Sequence, residues 1–108
     1  MSRSRFLNRK KVIAEIKHIA QRLKRRNKDI KKIVLFGSIA TGDFTLYSDA
    51  DILIVLTKSN KRFIDRIPSF LIAFLDADIG VDVFPYTEEE VLNIPLAKDA
   101  LSKGLVLA

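Results

Sequence analysis

Along the first third of the chain, apolar side chains return every three or four residues, at Val12, Ile13, Ile16, Ile19, Ala20 and Leu23. That is the period of one helix face, and it predicts an amphipathic helix over 10–27 packed on the rest of the protein. The pattern then changes. Residues 30–36, IKKIVLF, are short, β-branched and stopped by Gly37, which predicts a strand. Residues 37–48, GSIATGDFTLYS, mix two glycines with small polar side chains and predict a loop with room for one helical turn. From 49 to 56, DADILIVL becomes continuously apolar after two acids, the pattern of a strand covered on both faces and therefore central in its sheet.

Ser59 and Asn60 stand as caps before Phe63, Ile64, Ile67, Leu71, Phe74 and Leu75, whose spacing predicts a helix over 59–76. Pro68 is expected to kink or divide it. Residues 79–84, IGVDVF, predict a third strand closed by Pro85, and Thr87 with Glu90 three residues on forms a capping box for a short helix. Residues 94–103 predict a last helix ended by Gly104, and LVLA is a terminal strand or tail. The order implies the α/β class: one small domain over 1–108, with a mixed sheet of three to four strands packed against helices and no repeat or linker.

Composition narrows the chemistry. The 108 residues contain no cysteine, which removes disulfides, thiolate zinc sites and cysteine nucleophiles. No run approaches the roughly 20 apolar residues of a membrane helix, and no apolar segment follows the charged start as in a signal peptide, so a soluble, cytoplasmic protein is expected. The net charge of +6 is unevenly spread: residues 1–32 hold 13 Lys and Arg against Glu15 and Asp29, a net of +11, and the remainder is acidic at −5. A basic front segment suits phosphates or an acidic partner, although a solvated helix face carries the same pattern. No recognition motif for nucleic acid accompanies it, and nothing aromatic is interleaved to stack on bases.

The candidate chemistry lies in the acids. Asp49 and Asp51 flank Ala50 at the start of the central strand, where period two puts both carboxylates on one face about 7 Å apart. Their mutual repulsion calls for a cation, and Mg²⁺ takes such oxygen ligands while leaving positions for water and phosphate. Asp82, in the middle of IGVDVF, adds a third carboxylate if the two strands are neighbours; otherwise it is an exposed edge residue. Gly37 and Ser38, directly after the first strand, let backbone approach a ligand and offer a hydroxyl to phosphate oxygens, without either the Walker or the dinucleotide-binding glycine pattern. His18 reads as a surface residue, Phe44 and Tyr47 as loop anchors or base contacts, and Ser48 as support for the acids.

Taken together, LFGSIATGDFTLYSDADILIVL over 35–56 and VDVF over 81–84 resemble the signature of the nucleotidyltransferase superfamily related to DNA polymerase β. The likeness is closest to the minimal nucleotidyltransferases of archaea and bacteria, often the antitoxin partners of helical HEPN-type toxins, and it spans about the whole chain. It implies that Gly37 and Ser38 hold a nucleoside triphosphate, that Asp49 and Asp51 bind Mg²⁺, and that Asp82 completes the metal cluster and assists deprotonation of the acceptor hydroxyl. One departure matters: Ile39 and Thr41 stand where the resembling proteins commonly carry arginines.

The expected function is Mg²⁺-dependent transfer of a nucleoside monophosphate, AMP from ATP, to a hydroxyl such as a tyrosine of a HEPN-type toxin, with this chain as the antitoxin. The competing expectation is a binding module with a weak or silent site that neutralises its partner by contact. In either case so short a chain leaves the acceptor surface to a partner or to a second copy in a homo-oligomer.

Overall fold

The computed structural model describes residues 8–44 and 48–108. Residues 1–7 of the basic segment, and Tyr47 of the loop, lie outside them. The first helix, α1 (Arg9–Arg26), opens where the Asn8 side chain accepts a hydrogen bond from the Lys11 N–H, and it ends in Lys24, Arg25 and Arg26, cations that suit the negative end of its dipole. It buries Val12, Ile16, Ile19, Ala20 and Leu23, each large aliphatic side chain contributing about 1.5–3 kcal/mol. The predicted apolar face is therefore the packed one. Its other face exposes Lys17, Arg22, Arg25, Arg26 and also His18, as expected.

Three strands and a short fourth make one mixed sheet: β1 (Ile30–Phe36), β2 (Ala50–Leu56), β3 (Val81–Thr87) and β4 (Leu105–Val106), in the spatial order β3-β2-β1-β4. β1 runs antiparallel to β2 and to β4, whereas β2 and β3 are parallel. The parallel pair needs a crossover, which α3 (Phe63–Ala73) supplies. Alternation sorts the side chains into two cores. Ile33, Leu35, Ile52, Ile54 and Val83 pack with α1 and α3 on one face. Val34, Leu53 and Val55 pack on the other with Val91 of α4 (Glu88–Val91) and with Ala97 and Ala100 of α5 (Pro95–Lys103).

Three boundaries differ from the sequence pattern. α3 begins at Phe63, because Ser59 accepts from the Lys61 N–H and closes the preceding loop instead of capping the helix. Pro68 lies inside α3 without dividing it; the carbonyl it leaves unbonded, that of Ile64, belongs to a residue 65% exposed, where water can bond it. β3 continues through Pro85 to Thr87. At its start the Ala50 N–H donates to the Gly80 carbonyl, so the parallel ladder uses the main-chain groups of residues 80, 82, 84 and 86. Pro85 therefore turns its missing N–H to the outer edge of an edge strand, and no ladder bond is lost.

Arg66 of α3 seals that edge. It is 5% exposed, and donates to the carbonyls of Lys61 and Pro85 and through both terminal nitrogens to Glu90, at 2.6 and 3.1 Å. Glu90 also accepts from the Thr87 N–H while Thr87 accepts from the Glu90 N–H, the predicted capping box. The Arg66 hydrogen bond holds the Glu90 carboxyl down at about 2, below its ordinary 4.5. A depressed carboxyl stabilises the fold above its unfolded value and loses that contribution on acidification, so stability should fall as pH drops from about 4.5 to about 2. Because Glu90 is more than a third exposed and solvent screens the pair, Glu90→Gln should cost only about 1 kcal/mol at neutral pH, and it should flatten the acid limb of the melting temperature. Thermal scans from pH 2 to 7 check this; an unchanged acid limb would remove Glu90 as its cause.

Candidate active site

Strand alternation carries Asp51 onto the face of Leu53 and Val55, and Asp82 onto the face of Phe84 and Tyr86, the same side of the sheet. In the parallel register Asp51 stands beside Asp82, and in the antiparallel one it stands beside Phe36. α4 and α5 cover the other end of this face, where Val34, Leu53 and Val55 are buried. The acids sit at the uncovered end. Asp51 is half-buried there; Asp49 and Asp82 are exposed. Burial, then the charges of Asp82 and Asp49, push the Asp51 carboxyl above its ordinary value. Asp51 is thus placed beside Asp82 in the sheet, with Asp49 near enough to act on it through its charge, and Asp82 also lies on an edge strand.

Two glycines shape the seats of the carboxylates. Gly37 follows β1 with φ +79°, and a Cβ there would strike the Asp51 carboxylate, with the carboxyl carbon 3.3 Å away. Only a residue without a side chain both adopts that backbone and lets Asp51 sit against it. Gly80, just before β3, does the same for Asp49, whose carboxyl carbon would lie 3.1 Å from an added Cβ. Sequence reasoning passed over Gly80, although a glycine at a strand's start is itself a signal of close approach.

Ser38 opens a single turn, α2 (Ser38–Thr41), which ends at Gly42 with φ +93°. Its carbonyl accepts from the Gly42 N–H and from the Thr41 hydroxyl, while its own hydroxyl has no hydrogen-bond partner among the described residues. Ile39 is 1% exposed in the core of the α1 face, so an arginine at this position would have to leave that core to meet a phosphate. Ile39 thus serves the core at the position where the resemblance in sequence implies an arginine. The turn does have a guanidinium, from a residue that sequence reasoning did not single out: Arg9 donates to the carbonyls of Ile39 and Ala40, at 2.7 and 2.6 Å.

No lysine or arginine pairs with Asp49, Asp51 or Asp82 among the described residues. Among the described residues no group of three or more acids or histidines is close enough to hold a metal ion by itself, so at most a pair of these carboxylates would share one. That arrangement fits Mg²⁺, which is usually bound through one or two carboxylates together with water and phosphate oxygens. The raised Asp51 carboxyl and its two anionic neighbours are what a divalent cation would relieve.

A small α/β domain with paired acids opposite a glycine-serine turn defines a class, and the family comparison agrees: the nucleotidyltransferase domain matches residues 16–105. The chain belongs to that family and is a nucleotidyltransferase. Two proteins of Methanocaldococcus jannaschii, provisionally named protein adenylyltransferases, are similar to it throughout. One is 34% identical over 104 residues, covering 89% of this chain and 97% of its own. The other is 37% identical over 106 residues, covering 94% and 99%. A crystal structure from Sulfolobus solfataricus, also provisionally called a nucleotidyltransferase, superposes with a TM-score of 0.64 over 98% of this chain and 87% of that one; at 20% identity the likeness is one of fold.

The glycines give a paired test. Gly37→Ala should lower stability by about 1–2 kcal/mol through its left-handed backbone and also displace Asp51. Gly80→Ala has no such backbone strain, so its melting temperature should stay close to wild type while nucleotidyl transfer falls about tenfold or more through a displaced Asp49. Wild-type transfer by Gly80→Ala would show that Asp49 does not need this seat.

Proposed function

We propose that this chain transfers AMP from ATP to a hydroxyl of a protein, with Mg²⁺ at the acids. The observation that carries the reading is the seating of Asp51 against Gly37, beside Asp82 and Asp49, in a chain of the nucleotidyltransferase family. The names of the two archaeal relatives support a protein acceptor. In this reading Gly37 and Ser38 hold phosphate oxygens through main-chain N–H groups and the Ser38 hydroxyl. Asp49 and Asp51 hold the metal, and Asp82 completes the set. Bound there, Mg²⁺ would neutralise the triphosphate and the departing pyrophosphate.

The acceptor oxygen forms the new bond to the α-phosphorus, the bond to pyrophosphate breaks, and the hydroxyl proton passes to the Asp82 carboxylate. The exposure of Asp82 on the edge strand leaves it open to a hydroxyl carried by another molecule. The acceptor we propose is a tyrosine of a HEPN-type toxin, which would make this chain its antitoxin. The exposed Arg22, Arg25 and Arg26 of α1 are a surface of the right sign for an acidic partner. A second reading, neutralisation by contact alone, draws support from Ile39 and Thr41, which stand in the turn where the resemblance in sequence implies arginines.

Label from α-labelled ATP should pass to such a partner in the presence of Mg²⁺, and Asp49→Asn or Asp51→Asn should reduce transfer by about 10²-fold or more. A carboxyl raised on folding makes its ionised form destabilising above that value, so Asp51→Asn should melt at or above the wild-type temperature at pH 7 without metal. A wild type that binds no ATP with Mg²⁺ in calorimetry would end the enzymatic reading. If the Asp variants still silence the partner, contact alone suffices. Reversing Arg22, Arg25 and Arg26 to Glu should weaken the complex and flatten its salt dependence, as titrations at low and high salt would record.

A further inference from the structure

We infer that Arg9 is a positioning residue for the phosphate-binding turn. This role rests on the reading of Gly37 and Ser38 as phosphate ligands. Arg9 is the first residue of α1, the positive end of that helix, where a cation is disfavoured and where the first turn contains no acid. Helix stability therefore gives no reason for a guanidinium there. Its bonds do: Nε donates to the Ile39 carbonyl and Nη2 to the Ala40 carbonyl, about thirty residues away, from a half-buried position.

The turn it grips needs holding. α2 is four residues long and lies between two glycines in the left-handed region, Gly37 and Gly42, and a Cβ on Gly42 would meet nothing within 4 Å. So short a turn has no helical stability of its own. The burial of Ile39 fixes one side of it, and the internal bond from Thr41 to the Ser38 carbonyl adds no outside anchor. Two charge-assisted bonds to consecutive carbonyls fix its orientation, and hence the direction in which the Ser38 N–H and hydroxyl face. The same guanidinium adds a positive charge to a turn whose own sequence, SIAT, has none.

Arg9→Ala and Arg9→Lys separate positioning from bulk stability. The alanine variant should raise KM for ATP about tenfold with little change in kcat, and millimolar guanidinium ion should restore part of the loss. Arg9→Lys, which keeps the charge without the fork, should fall between the two. Hydrogen exchange gives a readout independent of turnover: amides of 38–42 should exchange faster in Arg9→Ala while those of β1 and β2 keep their protection. Unchanged exchange at 38–42 would overturn the inference whether or not the wild type transfers AMP, as would a parallel loss of kcat, KM and melting temperature without guanidinium rescue. A wild type that binds no ATP while Arg9→Ala loosens the turn would instead overturn the proposed function, and with it the role of Arg9 in ATP binding.

Discussion

The pairing of β2 with a neighbour on each side governs the rest of the molecule. Its antiparallel register with β1 places Asp51 opposite Phe36 and next to the Gly37 turn, and its parallel register with β3 places the same carboxylate beside Asp82. A slip of one residue on either side would turn the apolar row Ile52, Ile54 and Leu56 out of the core shared with α1 and α3. Hydrophobic burial thus fixes the position of a group that is itself unfavourable. Asp51 is half-buried among like charges because the strand that carries it is locked by its apolar neighbours.

The two ends of the second sheet face are treated differently. At the end near Leu53 and Val55, α4 and α5 lie on the strands, and beside them Arg66 and Glu90 close the edge of β3 with an ion pair, two main-chain carbonyls and a capping box. At the opposite end no helix among the described residues covers Asp51 or Asp82. The buried Arg66 guanidinium and the half-buried Glu90 carboxylate satisfy one another at the closed end, whereas at the open end no cation among the described residues pairs with the carboxylates. That contrast separates a charge pair satisfied within the fold from carboxylates that the proposed function assigns to a metal.

The turn between β1 and β2 is held from two sides. Ile39 is directed into the core, where it adds to the packing of α1, and the guanidinium at this turn comes from Arg9, about thirty residues earlier in the chain. α1 accordingly has three tasks on different faces: it covers the sheet, secures the turn, and presents a basic outer surface.

Much of this organisation was legible in the residues. Periodicity located α1, β1 and β2, the Thr87–Glu90 spacing announced the cap of α4, and Asp49, Asp51, Asp82, Gly37 and Ser38 stood out by residue type and spacing. Such features are local, set by side-chain period and by short-range hydrogen bonds. What the sequence alone left undecided depended on partners distant along the chain. Pro85 ends a strand in a one-dimensional reading, yet is admitted to β3 because that strand is an edge and the proline's missing N–H faces outward. Arg66 and Arg9 are two basic residues among 19 until folding brings Pro85 and Glu90 to one and the carbonyls of Ile39 and Ala40 to the other. Gly80 became part of the site only when β3 came alongside β2 and set Asp49 against it. The acids were visible as residue types, but their common face, their unequal burial and the raised Asp51 carboxyl required the register of three strands, because electrostatic coupling depends on distance in space and not on separation along the chain.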